Sequence, residues 1–398
     1  FLMILRPPRA TLDRSSAASD VFKRQSYKRV TESIMDAYIP QVGTHISNLE
    51  TPCLIVELDA LENNFQVVAE TYKNTHCKMR EHTKNIKSPF LAKMQMSFGG
   101  TNGGVCTAKV AEAEIMIQGG VTDILIPNQV VTLDKIERVC TLAKQGDLKL
   151  CVDSIQNVET ISQIASKKGV QIGILIEVDT AMGRAGVRSP EHGVSIAKAI
   201  HRLDGVSFRG VMSHQNVEED KTPEGRNLRA KETIDICLAV KDAIEEAGYP
   251  VEIVSTGETF CYEIAASIPG VTEVEGGSYA LMSTSYSYLT EFQIAGKVLG
   301  TVVSKPTPQT AIGDIGSLSL AAPAGIIPTF DGDDVQIDSI HSDHIVLKPD
   351  NNNLNVGDHF KLLPGHQDML VNRWDKYVAI RNDIVEEVWD IPGRGCYH

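Results

Sequence analysis

Short apolar runs alternate with amphipathic segments along the chain from residue 51 onward. TPCLIVEL at residues 51–58 predicts a strand, and the segment after it has helical periodicity with Asp59 as the expected N-cap. Eight further apolar strands are predicted at residues 77–83, 103–108, 123–128, 148–154, 171–179, 208–214, 251–257 and 271–276. Such strand–helix alternation predicts a parallel sheet, and eight repeats favour a closed (β/α)₈ TIM-like barrel over an open doubly wound sheet.

The pattern changes after residue 290. Short β-rich runs appear there, divided by Gly, Pro, Asp and Asn, and no long helix is evident. One of these runs, SLSLAAPAG, begins at residue 317. This pattern of short β-rich runs predicts a separate C-terminal antiparallel β domain within an α/β protein.

These patterns divide the chain into four segments. Residues 1–34 are expected to be a disordered N-terminal extension, and residues 35–58 a lead strand region that joins the β domain. Residues 59–288 are predicted to form the (β/α)₈ barrel, and residues 289–398 the β domain.

Composition and charge exclude several classes of protein. The 398 residues are 42% hydrophobic and 22% charged, which is close to globular averages and argues against disorder or a coiled coil. The net charge of −13 argues against a nucleic-acid or anionic-membrane binder. The longest apolar runs are far shorter than the roughly 20 residues of a membrane span. No G-x-G-x-x-G follows a strand, so a dinucleotide cofactor is not supported.

The cysteines and the N-terminus bear on location. None of the 8 cysteines forms a C-x-x-C pair, and several lie in apolar strands, which indicates reduced, cytoplasmic usage. The first 34 residues are Ser- and Arg-rich, so organellar targeting is an alternative, but Asp13 and Asp20 weaken it. An upstream extension or disordered tail is the favoured interpretation.

Reactive side chains concentrate at the predicted strand ends, where barrel enzymes place their active residues. Lys84 follows the first barrel strand, and a desolvated lysine there suits a Schiff base. Gly, Ser and Thr follow the seventh and eighth strands, where barrels commonly bind phosphate. A lysine together with a phosphate site suggests pyridoxal 5'-phosphate as the cofactor.

Four motifs then resemble one family. Residues 80–87 (REHTKNIK) resemble its R-P-H-x-K-x-H-K motif, and residues 177–187 its E-x-D…G-R-x-G-V stretch. Residues 275–279 (EGGSY) and 366–368 (HQD) resemble its G-S/T-Y turn and its C-terminal metal motif. The family is that of D-threonine aldolase and D-serine dehydratase, fold-type III pyridoxal phosphate enzymes related to alanine racemase. The resemblance covers about residues 40–398.

The chain departs from this family at four positions. Glu81 stands where the motif has proline, and Ile86 replaces its second histidine. Glu258 and Phe260 replace small residues near the expected phosphate. A carboxylate of Glu258 that pointed inward would repel a phosphate.

Cofactor-binding roles are assigned on position and resemblance together. Lys84 is the expected Schiff-base lysine, with Lys87 as its rival. Arg184 is expected to face the pyridine ring edge, unless it only pairs with Glu177 or Asp179, and His214 to stack on or bond to the cofactor. The phosphate site is expected to combine Thr256, Gly257, Thr259, Ser278 and Tyr279.

His366 and Asp368 form an H-x-D pair that is the candidate metal site. If the segment is a strand, both side chains face one side and can reach one ion. Nitrogen and oxygen donors fit a partly hydrated Zn²⁺, Mn²⁺ or Mg²⁺. Both residues are therefore catalytic candidates together with Lys84, and His341 and His344 are weaker candidates for further ligands.

The resemblance implies a metal-dependent lyase that cleaves D-β-hydroxy-α-amino acids to glycine and an aldehyde. The family's aldolases tend to carry H-x-D and its dehydratases H-x-C, so Asp368 favours the aldolase over a D-serine or 3-hydroxyaspartate dehydratase. Two lesser alternatives are a metal-free racemase, which would need a tyrosine base from the β domain, and a non-catalytic cofactor-binding protein. We expect a homodimer that binds neither nucleic acid nor membrane.

Overall fold

The computed structural model describes residues 38–216, 220–322, 326–351 and 353–398. The barrel and the second sheet both belong to one compact unit, Val42–His398. The predicted N-terminal extension, residues 1–34, lies outside the described residues.

Eight parallel strands close into a barrel, which confirms the predicted architecture and all eight of its strands. Their bounds are β2 Lys78–His82, β3 Thr101–Cys106, β4 Asp123–Ile126, β5 Asp147–Val152, β6 Ile172–Val178, β7 Val206–Ser213, β8 Ile253–Ser255 and β9 Glu273–Gly276. Neighbours in sequence pair with each other, and β9 returns to pair with β2. One buried residue from each of β3 to β8 forms an apolar cluster inside the barrel. Its members are Cys106, Leu125, Cys151, Leu175, Met212 and Ile253.

One helix precedes the first barrel strand, and further helices separate the barrel strands along the chain. The bounds of those longer than four residues are Leu58–Tyr72, Pro89–Phe98, Val110–Gln118, Leu133–Leu142, Ile155–Lys168, Pro190–Ile200, Pro223–Glu246 and Tyr262–Ser267. The first of them, Leu58–Tyr72, buries a stripe that includes Leu61, Phe65 and Val68. Its N-cap is Glu57, and Asp59 lies inside the first turn, so the predicted cap was wrong by two residues.

A nine-stranded, mostly antiparallel sheet forms the second part of the fold, as predicted. Its strands are β1 Cys53–Glu57, β10 Gly296–Thr307, β11 Thr310–Gly313, β12 Thr329–Phe330, β13 Val335–Ile340, β14 Ile345–Pro349, β15 His359–Leu363, β16 Lys376–Arg381 and β17 Ile384–Asp390. Strand β10 is long enough to pair with β1, β11 and β15. Strand β1 lies between β10, which is antiparallel to it, and β16, which is parallel.

Short helices interrupt the second part at two places that the sequence did not predict as helical. Ser317–Leu320 is one of them, so the prediction of a β-rich run there was wrong. The other short helix is Gln367–Val371, which follows β15. His366 lies directly before it, and Asp368 lies in its first turn.

We propose domain limits at residues 58 and 288.

The cysteines are free and mostly buried. All eight lie in the described residues, none forms a disulfide, and only Cys396 is partly exposed. No helix in the described ranges combines the length and apolar composition needed to cross a membrane.

Candidate active site

A cavity of about 220 Å³ lies where the barrel's loops meet the second sheet. Four residues line its barrel side, and each lies one to three positions after the end of a strand. They are Lys84 after β2, His214 after β7, Glu258 after β8 and Ser278 after β9. The other side is formed by residues 366–368. The carboxyl ends of the barrel strands and the H-x-D motif therefore face one cavity, although they are far apart in sequence.

Lys84 lies in a single 3₁₀ turn, Thr83–Asn85, directly after β2. His82 ends β2, and its Nδ1 accepts the amide hydrogen of Lys84 at 3.4 Å. Burial, and then the nearby charges of Lys84 and His214, lower the pKa of His82 well below its usual value. His82 is therefore a neutral imidazole, and its accepting Nδ1 leaves the ring proton on Nε2.

Lys87, the rival lysine, is already paired. It is buried with a φ of 51°, and its Nζ contacts Oε1 of the buried Glu112. The other oxygen of Glu112 accepts the amides of Ala108 at 2.6 Å and Lys109 at 3.2 Å. In the described part of the chain, no carboxylate lies within 4 Å of the amine of Lys84. Lys84 is thus the more available amine of the two.

Arg184 lies in the loop after β6, and its side chain is about half exposed. Its nearest carboxylate is Glu177, at 3.9 Å, whose own pKa is raised by burial. Asp179 shapes the loop because it accepts the amides of Met182 at 3.0 Å and Gly183 at 3.1 Å. Met182 lines the cavity wall, whereas Arg184 is not among the lining residues.

The five residues predicted to bind phosphate are not equally exposed to the cavity. Ser278 lines it, whereas Thr256 and Thr259 are buried. The hydroxyl of Thr259 accepts the amide of Gly277 at 3.3 Å. The amide of Gly257 donates to Gln215 at 2.7 Å, so it is not available to a phosphate. A cofactor phosphate is therefore best matched by Ser278 and the turn around it.

Tyr279 points away from this cavity. Its ring is fully buried against Phe65 and Phe292, and its hydroxyl donates to Glu81. The side chain therefore does not contribute to a phosphate site in the way that the sequence suggested, and any contribution is limited to its backbone. Glu81, which stands where the family motif has proline, supplies the carboxyl group that accepts this hydrogen bond.

Gln215 is a structural residue of the site that sequence reasoning missed. It is fully buried next to His214, and its Nε2 donates to Ser213 and Thr256, both at 2.6 Å. Because its Oε1 also accepts the amide of Gly257, Gln215 joins the ends of β7 and β8. Its position directly after His214 at a strand end was the available signal.

The carboxylate of Glu258 points toward His214. Its position is thus set by a neighbouring side chain of the barrel. Its Oε1 lies 2.7 Å from Nε2 of His214, an ion-pair distance without the alignment of a hydrogen bond. Both side chains line the cavity. The carboxylate of Glu258 is therefore in contact with the imidazole of His214 within the cavity wall.

His366 and Asp368 face each other, but not as neighbours on a strand. His366 has extended backbone angles and is the N-cap of the helix in which Asp368 lies, so the strand argument was wrong. The turn at the start of that helix brings Nδ1 of His366 against Oδ1 of Asp368. Burial opposes the ionised form of Asp368, but His366 and Lys84 lower its pKa below the usual value.

The donor set fits a partly hydrated cation. His366 supplies a buried Nδ1 without an aligned hydrogen-bond partner, and Asp368 supplies a carboxylate beside it. No cluster of three or more His, Cys, Asp or Glu suited to a metal occurs in residues 38–216, 220–322, 326–351 and 353–398. His341 and His344 lie in the turn between β13 and β14, where the amide of His341 donates to the carbonyl of His344 at 2.8 Å.

The cavity also fits the cofactor inferred from the sequence. A primary amine, three serines and Gln367 line it, and the buried amide oxygen of Gln367 has no hydrogen-bond partner among the described residues. Gly277 allows a close approach of two barrel turns, because a Cβ there would lie 2.5 Å from the carbonyl of His82. A lysine amine can form an imine with an aldehyde, and serine hydroxyls can donate hydrogen bonds to a phosphate.

Comparisons with known proteins agree with this architecture. The family model "Alanine racemase, N-terminal domain" matches residues 56–284, and the serine dehydratase domain model matches residues 295–380. The 3-hydroxy-D-aspartate aldolase of Paracoccus denitrificans (strain Pd 1222) is 34% identical over 365 residues, which cover 89% of this chain and 94% of that protein. The D-threonine aldolase of Arthrobacter sp. is 30% identical over 363 residues, 89% of this chain and 95% of that protein. The crystal structure of D-threonine aldolase from Filomicrobium marinum superposes with a TM-score of 0.86 at 29% identity, covering 90% of this chain and 100% of that one.

Proposed function

Because the chain belongs to the alanine racemase N-terminal domain family and carries a serine dehydratase domain after it, we propose that it is a pyridoxal phosphate-dependent lyase acting on D-β-hydroxy-α-amino acids. The reaction is retro-aldol cleavage to glycine and an aldehyde, as the names of two relatives suggest. The observation that carries the proposal is the convergence of Lys84, His366 and Asp368 on one cavity.

Lys84 would hold the cofactor covalently through its amine, since Lys87 is occupied by Glu112. Bound pyridoxal phosphate supplies an electron sink for the charge that develops at Cα. Ser278 would bind the phosphate, and Arg184 would reach the pyridine edge by moving its half-exposed side chain. Gln215 would keep the ends of β7 and β8 in place around the ring.

His366 and Asp368 would hold the divalent cation on the side of the second sheet. Bound there, Zn²⁺, Mn²⁺ or Mg²⁺ supplies a Lewis acid for the substrate's β-hydroxyl. Cleavage breaks the Cα–Cβ bond, removes a proton from that hydroxyl and adds one to Cα. His214, paired with Glu258 on the barrel side, is positioned to exchange protons in the cavity.

The racemase alternative requires a tyrosine that acts as a base. Tyr286 lines the cavity, but burial raises its pKa well above the usual value, so the phenol retains its proton. Tyr286 belongs to the barrel segment, however, and Tyr397 is the tyrosine of the β domain that shares a cavity with Lys84. The choice between racemase and lyase therefore rests on the assay below. We also propose a homodimer, which rests on the resemblance and is tested by light scattering, and a reducing, cytoplasmic location, which the free buried cysteines support.

The test is incubation of the purified protein with pyridoxal phosphate, Mn²⁺ and D-threonine, D-serine or D-3-hydroxyaspartate. We expect glycine with acetaldehyde or glyoxylate, and no product from L-threonine. Ammonia with a keto acid would establish the dehydratase instead. Racemised amino acid after full chelation would establish the racemase. The Lys84→Ala variant is the control for uncatalysed reaction.

A further inference from the structure

A second and larger cavity, of about 500 Å³, adjoins the first. Lys84 and Asp368 line both cavities and so form their common wall. The rest of the larger cavity is built from the start of the helix Val110–Gln118, the helix Gln367–Val371 with the residues after it, and residues 396–397.

The lining of this larger cavity is cationic in a strongly acidic protein. Four lysine or arginine side chains and two carboxylates face it, although the whole chain carries a net charge of −13. The two carboxylates are already engaged, Glu112 with Lys87 and Asp368 with His366. In the described part of the chain, Lys84, Lys109 and Arg373 have no carboxylate partner. The cavity therefore offers unneutralised positive charge beside the reacting groups.

We propose that this cavity binds the second carboxylate of a dicarboxylic D-β-hydroxy-α-amino acid, with Lys109 and Arg373 as the groups that recognise it. The inference rests on the proposed function and specifies its substrate class. Lys84 marks the position of the substrate's amino group, and Asp368 that of its β-hydroxyl. Both lie on the common wall, so the group beyond Cβ has the larger cavity to occupy.

A carboxylate and a methyl group would interact differently with this surface. A carboxylate on Cβ would accept charge-assisted hydrogen bonds from the ammonium of Lys109 and the guanidinium of Arg373. A methyl group there, as in threonine, would leave both cations without a partner. Lys109 and Arg373 are exposed, so they also attract a dicarboxylic amino acid, with its net negative charge, from solution.

The competing assignment is that these cations bind the α-carboxylate, which every amino acid carries. The two assignments differ in one measurable quantity, the ratio of kcat/KM for D-3-hydroxyaspartate to that for D-threonine. Loss of a group that binds the distal carboxylate lowers this ratio. Loss of a group that binds the α-carboxylate lowers both constants alike and leaves the ratio unchanged.

The experiment compares the holoenzyme with Lys109→Met and Arg373→Met, and uses Lys93→Met as a matched control. Lys93 is an exposed lysine on the helix Pro89–Phe98, outside both cavities. We expect the wild-type ratio to favour D-3-hydroxyaspartate and each cavity variant to lower it about tenfold or more, the effect of one charged hydrogen bond. The control should keep the wild-type ratio. An unchanged ratio in both cavity variants overturns the inference.

A binding measurement separates this inference from the lyase proposal. Calorimetric titration of the holoenzyme with succinate and with butyrate compares a dicarboxylate with a monocarboxylate of equal length, and needs no turnover. We expect tighter binding of succinate, which is lost in the Lys109→Met/Arg373→Met double variant. Equal binding of the two acids by the wild type contradicts the inference even if D-threonine is cleaved. Selective succinate binding without any cleavage contradicts only the lyase proposal.

Discussion

The hydroxyl of Tyr279 donates a hydrogen bond to Glu81, a fully buried carboxyl group at the end of the first barrel strand. In the described structure, the other oxygen of Glu81 has no hydrogen-bond partner. Burial raises the pKa of Glu81 well above its usual value, and the phenol opposes that rise. The pair therefore links the turn after β9 to β2 through a single contact whose loss leaves a carboxyl group alone in the core.

Tyr279→Phe should destabilise the protein by about 1–3 kcal/mol, the usual cost of leaving a buried polar group unpaired. Tyr377→Phe is the matched control, because its buried hydroxyl donates to a neutral backbone carbonyl, that of Ile86, and its loss should cost less. Glu81→Met combined with Tyr279→Phe should recover most of the loss, since both polar groups are then gone. Urea unfolding of the four proteins measures this, and equal losses in the two phenylalanine variants would contradict it.

Glu275 should make stability fall as the pH rises. Burial is the main cause that raises its pKa to about 7, while the hydroxyl of Ser255 opposes the rise. Between pH 4.5 and 7 the folded state holds a proton that the unfolded state has released, so stability decreases by at most about 1.4 kcal/mol per pH unit. Above about pH 7 both states are ionised and the decrease ends.

Glu275→Gln removes this dependence because the amide does not titrate. Its melting temperature relative to that of the wild type should rise from about pH 5 to about pH 7 and stay level from there to about pH 8.5. A difference that is the same at every pH would show that Glu275 is ionised throughout.

Lys84→Ala should abolish the absorbance of bound cofactor above about 400 nm and reduce lyase activity by at least about 1,000-fold. Borohydride reduction of the wild type followed by peptide mapping should place the cofactor on Lys84. A label on Lys87 would contradict the assignment and would mean that the Lys87–Glu112 pair opens when cofactor binds.

Chelation should abolish lyase activity and leave the cofactor bound, because Lys84 and the phosphate contacts hold it independently of the ion. His366→Ala should behave in the same way, and Asp368→Cys should shift metal preference toward Zn²⁺ and lose aldehyde formation. Elemental analysis of each protein accompanies the assays. Full lyase activity in a protein that contains no metal would show that the reaction does not need the ion.

Gln215→Leu should weaken cofactor binding more than Ser213→Ala. The leucine leaves the amide of Gly257 without its acceptor and removes the donor to Ser213 and Thr256, whose hydroxyls still bond each other at 2.6 Å. The cost is about 1–3 kcal/mol, or a rise of about fivefold or more in the cofactor Kd. Ser213→Ala keeps the bond between Gln215 and Gly257. Fluorescence titration of the apoproteins measures both constants, and similar values for the two variants would contradict the role given to Gln215.

The barrel strands could be predicted because each is an apolar run bounded by polar turns, and that pattern depends on local sequence alone. The gathering of Lys84, His214 and Ser278 at one cavity was predictable too, because the carboxyl ends of parallel strands share one face. The direction in which an individual side chain points could not be predicted from the sequence. Tyr279 looked like part of a phosphate site, yet its ring fills a core that Phe65 and Phe292 complete from distant segments.

The local structure of the H-x-D motif could not be predicted from the sequence either. A strand and a helix N-terminus both place residues i and i+2 near each other, and five residues of helix carry too weak a period to distinguish them. The role of Gln215 depends on Gly257 and Thr256, which are 42 and 41 positions away. Such a contact exists only after the barrel has closed.

The place of β1 between β10 and β16 has a consequence for biosynthesis. Strand β1 leaves the ribosome before the other described strands, but its parallel neighbour, Lys376–Arg381, is among the last. The barrel strands can close while β1 still lacks both neighbours, so β1 remains an exposed apolar edge until translation is nearly complete. Because β1 and β16 are more than 300 residues apart in sequence, we expect their pairing to be the slow step of folding. A fragment that starts at residue 289 would lack β1, the strand that joins β10 to β16. The C-terminal part would therefore aggregate when produced alone and would be rescued by co-expression with residues 42–288.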